Sequence, residues 1–336
     1  MEKYKLSLII LLVSLLTGCT RSRQYFPRTM EREHIQLVRF DRALMNVNTS
    51  TALNDIRLLY DEYPVFMSVW TEDILGIPAS DTSYLATALP QFLEDTVYGF
   101  KETNERAREL FADTRDIEHD LDNAFTRIHY LYPEWPMPDI YLFVSGFNAS
   151  ILFVDDHLAA GVDMYLGSDW KYYNQVVHHY QRQTMRKECL AMDVTSAYLF
   201  RHIDFTSSKS RLLEQMLYRG KVMYLLSVLF DQAHEWEVMG WSKEQWQWCH
   251  RNERAIWNHM MDKRDLFRTE NMVLASYLND GPFTAEISQD SPGRVGTWIG
   301  WQITRSYMEH HPEVSLQQLM AEPDAQKILE QSYYKP

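Results

Sequence analysis

The stretch that most constrains the fold is DIYLFVSGFNASILFVDDHLAAGVDMYLGSDW, residues 139–170, the part of the chain that reads as sheet. Ile140 to Val144 and Ile151 to Val154 are short runs of β-branched and aromatic residues, and Gly146, Phe147 and Asn148 between them suit a hairpin connection. Two adjacent strands are expected there, with a third extended run over Ala159 to Leu166 after Asp155 and Asp156. A sheet this small cannot bury a face alone. Nearly everything around it is patterned as helix, so the expected fold class is α+β and predominantly helical. The small sheet, about residues 139–166, packs against helices, and a cleft lies where the layers meet.

The helical patterning is strongest from Ser207 to Phe230, where Leu212, Leu213, Met216, Leu217, Met223, Leu226 and Leu229 leave little polar surface. A longer stretch, Asp81 to Tyr132, is broken near Pro90 and Gly99 and carries the stripe Ile117, Leu121, Ala124, Phe125 and Ile128. Trp241 to Met261 and the segment holding Trp298, Ile299, Ile303 and Tyr307 complete the set. Gly293, Gly296 and Gly300 are wrongly spaced for a dinucleotide-binding loop and are read as permitting tight turns and close helix approach.

The N-terminus sets location. Lys3 and Lys5 precede the apolar run Leu6 to Leu16, and Leu16, Thr17, Gly18 and Cys19 follow. A basic start, a short apolar core and small residues at the cut make a secretory signal peptide, too short for a comfortable membrane span. Cys19 directly after Gly18 matches a bacterial lipobox, so residues 1–18 are expected to be removed, with Cys19 acylated. Residues 19–33 then form a polar tether and residues 34–336 a single body. Cleavage takes away Glu2, Lys3 and Lys5 and moves the formal charge from −13 to −14. An acidic body repels nucleic acid and anionic headgroups, which leaves proteins or small molecules as partners. An oxidising envelope allows Cys189 and Cys249 to pair or to remain free, and the sequence leaves both open.

Catalytic motifs are mostly missing. No HExxH occurs, and the helix after the strands offers Lys187, Glu188, Cys189, Leu190 and Ala191, a lone Glu flanked by a cation. Ser145 before Gly146 is not a GxSxG elbow, and there is no P-loop. Asp155, Asp156, Asp163 and Asp169 read as turn carboxylates near the sheet edge, and adjacent His178 and His179 point apart on either a helix or a strand. Arg219 and Lys221 interrupt an otherwise apolar helix and so need carboxylate partners or a cleft; Glu188 and Glu214 are the expected partners.

Several blocks together resemble a known family. FVSGFNASILFVDDHLAAGVDMYLGSDW, RLLEQMLYRGKVMYLL, RNERAIW, PGRVGTWIGWQITRSYM and the terminal SYYKP, in that order behind a lipoprotein signal, resemble the gliding-motility lipoprotein B (GldB) family of Bacteroidetes-type bacteria. The resemblance implies a scaffold related to zincin-type metallopeptidases without its metal. Where that pattern has a carboxylate ligand, this chain has Arg219 before Gly220, a lost donor and an added like charge. It also implies a part in gliding motility or the associated protein secretion. Thr20, Arg21 and Ser22 lack the acidic run that accompanies surface export, so a periplasm-facing position is expected.

The expectation is therefore a lipid-anchored, non-catalytic envelope protein without a cofactor or metal, bound to the membrane through its lipid and to proteins of the motility or secretion machinery. Its cleft is expected to hold Asp163, Tyr165, Asp169, Trp170, Glu188, Arg219, Arg294 and Trp298. The alternatives are a metal-dependent hydrolase or peptidase, with ligands sought among His178, His179, His202 and Glu188, and a glycan-binding lipoprotein.

Overall fold

Leu158, Ala159, Ala160 and Gly161 are all buried, and a strand covered on both faces belongs inside a sheet. In the computed structural model, which describes residues 23–336, it lies there. Strands β1 (Leu37–Val38), β2 (Ile140–Phe143), β3 (Ile151–Val154) and β4 (His157–Gly161) form one sheet in the order β1-β2-β4-β3. β1 and β4 run parallel to β2, and β3 runs antiparallel to β4. The leader and Cys19 lie outside the described residues.

The sheet corrects three expectations. β2 and β3 are not neighbours, because β4 lies between them. The segment expected to close a hairpin is held instead by Asp163, whose carboxylate accepts from the Ser145 amide at 2.8 Å, the Ser145 hydroxyl at 3.0 Å and the Phe147 amide at 2.8 Å. The hairpin forms one connection later, where Val154 pairs with His157 and Asp155 takes a left-handed φ of 53°. The short polar Asp side chain tolerates that conformation. The third run ends as strand at Gly161 and continues as a tight turn over Val162–Met164; Leu166 makes only an isolated bridge to Arg186. Finally, the sheet is not confined to residues 139–166, since Leu37 and Val38 add an edge strand.

The remaining elements are helical. Before the central strands come α1 (Phe40–Met45), α2 (Ala52–Glu62), α3 (Pro64–Val69), α4 (Thr82–Leu93), α5 (Phe100–Leu110) and α6 (Arg115–Leu131). After them come α7 (Tyr173–Val176), α8 (Leu190–His202), α9 (Leu212–Leu229), α10 (Glu235–Val238), α11 (Lys243–Asp262), α12 (Asn271–Leu278), α13 (Val295–His310), α14 (Leu316–Ala321) and α15 (Ala325–Ser332). α4 runs through Pro90 and stops three residues later, so the break falls after Leu93 rather than at the proline. A proline there costs one hydrogen bond near the helix end, where little helix remains to be lost.

α9 and α13 are the central pair. A Cβ on Gly300 would stand 2.0 Å from the Met216 carbonyl oxygen, and one on Gly220 would stand 2.2 Å from the Gly300 carbonyl carbon. The backbones touch there because neither residue has a side chain. This contact fixes Arg219, beside Gly220, relative to Thr297, one turn before Gly300. α8 packs on β3 and β4, and α9 packs beside α8. Residues 31–336 form one compact unit. No helix among the described residues is long and apolar enough to cross a membrane.

Candidate functional site

α8, α9, the turn after β4 and the start of α13 enclose a cavity of about 550 Å³. Met164 and Tyr165 come from the turn, Met192, Asp193 and Ser196 from α8, Arg219 and Met223 from α9, Asp280 from the loop after α12, and Arg294 and Thr297 from the start of α13. Most of the wall is polar, although it is built inside an apolar helical layer.

Asp193 is the chief titratable group. Its carboxylate is enclosed by protein but keeps some surface toward the cavity. Burial pushes it up to about 7, while the Tyr165 hydroxyl, which donates to it at 3.1 Å, and the charge of Arg294 pull the other way. The same burial, with Asp193 beside it, holds the Tyr165 phenol well above its ordinary range. Desolvation outweighs both attractions, so the site keeps its proton to a much higher pH than a free carboxyl does.

Two guanidinium groups share the wall. Arg219 donates to the Leu278 carbonyl at 3.1 Å and has no carboxylate within ion-pair distance among the described residues. Burial, and then repulsion from Arg294, lower its affinity for its proton. Arg294 pairs with Asp280 at 2.8 Å and also donates to the Met239 carbonyl. Its backbone has a left-handed φ of 62° at the N-cap of α13. A non-glycine residue held there carries strain of order 1–3 kcal/mol, which persists only where the surroundings over-determine it.

Three of the expected cleft residues, Tyr165, Arg219 and Arg294, meet in this cavity. Asp163 does not reach it: the residue is buried and anchors the 145–147 loop. Asp169 lines a separate, outer depression with His178 and His179. Trp170 is half-buried with its ring against Tyr172. Glu188 is exposed at a neighbouring hollow of about 410 Å³. Trp298 is fully buried behind the wall, against Trp241 and His250. The expected ion pairs do not form either. Glu214 is taken by Arg211, and Lys221 donates to the carbonyls of Met320 at 3.3 Å and Glu322 at 2.9 Å, so peptide carbonyls replace the carboxylates. Cys189 and Cys249 are both free.

Asp193, Ser196 and Thr297 were missed. Glu188, the acid that the sequence points to, stands on the turn before α8, whereas the face of α8 toward the cavity begins a few residues later. The available signal was a lone acid in the apolar run LAMDVTSAYLF.

A zinc hydrolase needs three converging nitrogen, sulfur or carboxylate donors. Asp193, Glu237 and Asp280 line this wall, but Asp280 is paired with Arg294 and among the described residues the three acids do not converge as a ligand set, so the wall does not fit a zinc ion. His178 and His179 face the outer depression, and His202 stacks on Tyr198. Among the described residues, no group of three or more His, Cys, Asp or Glu side chains is placed to hold a metal.

These features define a helix-rich α+β protein built around a polar cavity with a guanidinium wall. The chain belongs to the GldB family: the model of that family, described as "Gliding motility protein GldB", matches residues 26–336. Membership implies involvement in gliding motility, and the lipoprotein label of the family fits a lipid-anchored envelope protein. No curated protein and no solved structure matches the chain.

Proposed function

We infer that the protein is a non-catalytic, lipid-anchored component of the motility machinery and its associated secretion, facing the periplasm and holding another envelope protein at the cavity. The observation that carries this reading is the makeup of the cavity wall. On the metallopeptidase-like scaffold that the family resemblance implies, the positions of α8 and α9 facing the cavity carry Met192, Asp193, Ser196 and the cation Arg219. These positions offer a single carboxylate beside a cation, which is a poor metal site and suits a polar group of a partner. Anchoring rests on the lipobox at Cys19.

One observation favours a second reading, that of a metal-free hydrolase. Asp193, raised to about 7 beside the Tyr165 hydroxyl, is poised for proton transfer. Complementation of a deletion strain of the native host separates the two. Asp193→Asn keeps an acceptor for Tyr165, so the binding reading predicts normal colony spreading and export, with both lost in Arg219→Gln. Spreading lost in Asp193→Asn but retained in Arg219→Gln would favour the hydrolase and overturn the binding reading.

A further inference from the structure

We propose that the cavity binds the terminal carboxylate of a polypeptide, with Arg219 as its charge partner and Thr297 as a hydrogen-bond donor. The proposal rests on the reading that the cavity holds a protein partner, and it names the group that enters.

Arg219 presents five N–H donors, of which one is recorded in use, to the Leu278 carbonyl. It is half-buried, faces a second guanidinium and has no carboxylate at ion-pair distance among the described residues. A desolvated cation left in that condition is costly, and an arriving anion relieves it. Thr297 is an independent observation. Its side chain lines the cavity, the residue is 3% exposed, and its hydroxyl has no hydrogen-bond partner among the described residues. Buried hydroxyls are almost always satisfied, so an unmet one on a cavity wall points to a ligand. Thr297 also sits in the first turn of α13, where the helix dipole favours negative charge.

The charge count selects the anion. Arg294 is already committed to Asp280 and the Met239 carbonyl, so Arg219 is the cation left to answer a ligand. Asp193, Glu237 and Asp280 line the same space and oppose a dianion such as phosphate. A singly charged carboxylate matches one guanidinium in a fork geometry. The rest of the wall suits a chain behind it. Met164, Met185, Met192, Met223 and Met239 offer adaptable thioether surface, and the cavity volume of about 550 Å³ is in the range that encloses a small ligand or a few residues.

The test is equilibrium dialysis of the full-length protein in mild detergent at low salt. The probe is a mixture of N-acetylated pentapeptides with free C-terminal carboxylates, set against the same mixture as C-terminal amides. N-acetylalanine and inorganic phosphate are separate arms. The acids should be retained about tenfold more than the amides, the scale of one charge-assisted hydrogen bond, and Arg219→Gln should remove the difference. Thr297→Val, of nearly equal volume, should reduce it severalfold and carries the test if Arg219→Gln does not fold. Equal retention of acids and amides overturns the proposal. Phosphate bound more tightly than the acids overturns the carboxylate, and N-acetylalanine bound as tightly as the peptides overturns the polypeptide. Equal retention together with lost spreading in Arg219→Gln would remove the carboxylate while leaving a protein partner at the cavity.

Discussion

Replacing Asp193 by Asn should stabilise the protein above neutral pH and do little in mild acid. Its carboxyl is raised from 3.8 to about 7 because burial penalises the charged form more than Tyr165 and Arg294 favour it. In the unfolded chain the same group titrates near its ordinary value of about 3.9. Between about pH 4 and pH 7 the folded state therefore keeps a proton that the unfolded state has released. Stability falls as pH rises through that window and is level above it. Three pH units at about 1.36 kcal/mol each set an upper figure of about 4 kcal/mol. The amide has no charge to desolvate and still accepts from the Tyr165 hydroxyl. Urea unfolding of the full-length protein in detergent, followed by tryptophan fluorescence, should show Asp193→Asn more stable by up to about 4 kcal/mol at pH 8 and little changed near pH 4.5. An equal gain at both pH values, or a loss at pH 8, would refute the reasoning.

Other perturbations follow from the same contacts. Gly300→Ala places a Cβ 2.0 Å from the Met216 carbonyl, and because both groups are backbone the helices must part; the loss should exceed the Ala propensity gain and leave about 2 kcal/mol of destabilisation in the same urea assay. Asp163→Ala leaves the Ser145 and Phe147 amides without their acceptor and should cost roughly 3–5 kcal/mol, with the 145–147 loop losing amide-exchange protection first. Glu235 is raised by burial, but His250, Arg305 and Trp246 outweigh that and hold it down at about 2. Its contribution is complete above about pH 4.5 and lost as pH falls toward 2, so Glu235→Gln should flatten the acid limb of the stability curve. Cys19→Ser should move the protein from the membrane fraction to the soluble one and abolish palmitate labelling.

The fold class was legible because apolar periodicity marked α6, α9, α11 and α13, and because residues 139–166 hold strand-forming runs between turn residues. Strand order was not. Ile140 to Val144 and Ile151 to Val154 are near in sequence and alike in composition, and a long-range contact from Asp163 decides that they do not pair. The sequence carries a sign of the central strand in the uninterrupted small and apolar run from Leu158 to Gly161, which the structure buries. At the site, Arg219 and Arg294 stood out as cations beside apolar or glycine-rich helix residues. Asp193 did not, because its environment comes from Tyr165, Arg294 and Asp280, far away in sequence. Lys221 shows that a cation in an apolar helix can be met by peptide carbonyls, here of Met320 and Glu322, in place of a carboxylate.

The most direct test of the central claim is photocrosslinking in living cells of the native host. A photoreactive residue at Phe200, which lines the cavity and is 36% exposed, is compared with one at Tyr84, which is 58% exposed on α4 and does not line this cavity. A discrete crosslinked envelope protein is expected from Phe200 alone, lost when Arg219→Gln is added. Identical patterns from both positions, or a Phe200 adduct indifferent to Arg219, would contradict it.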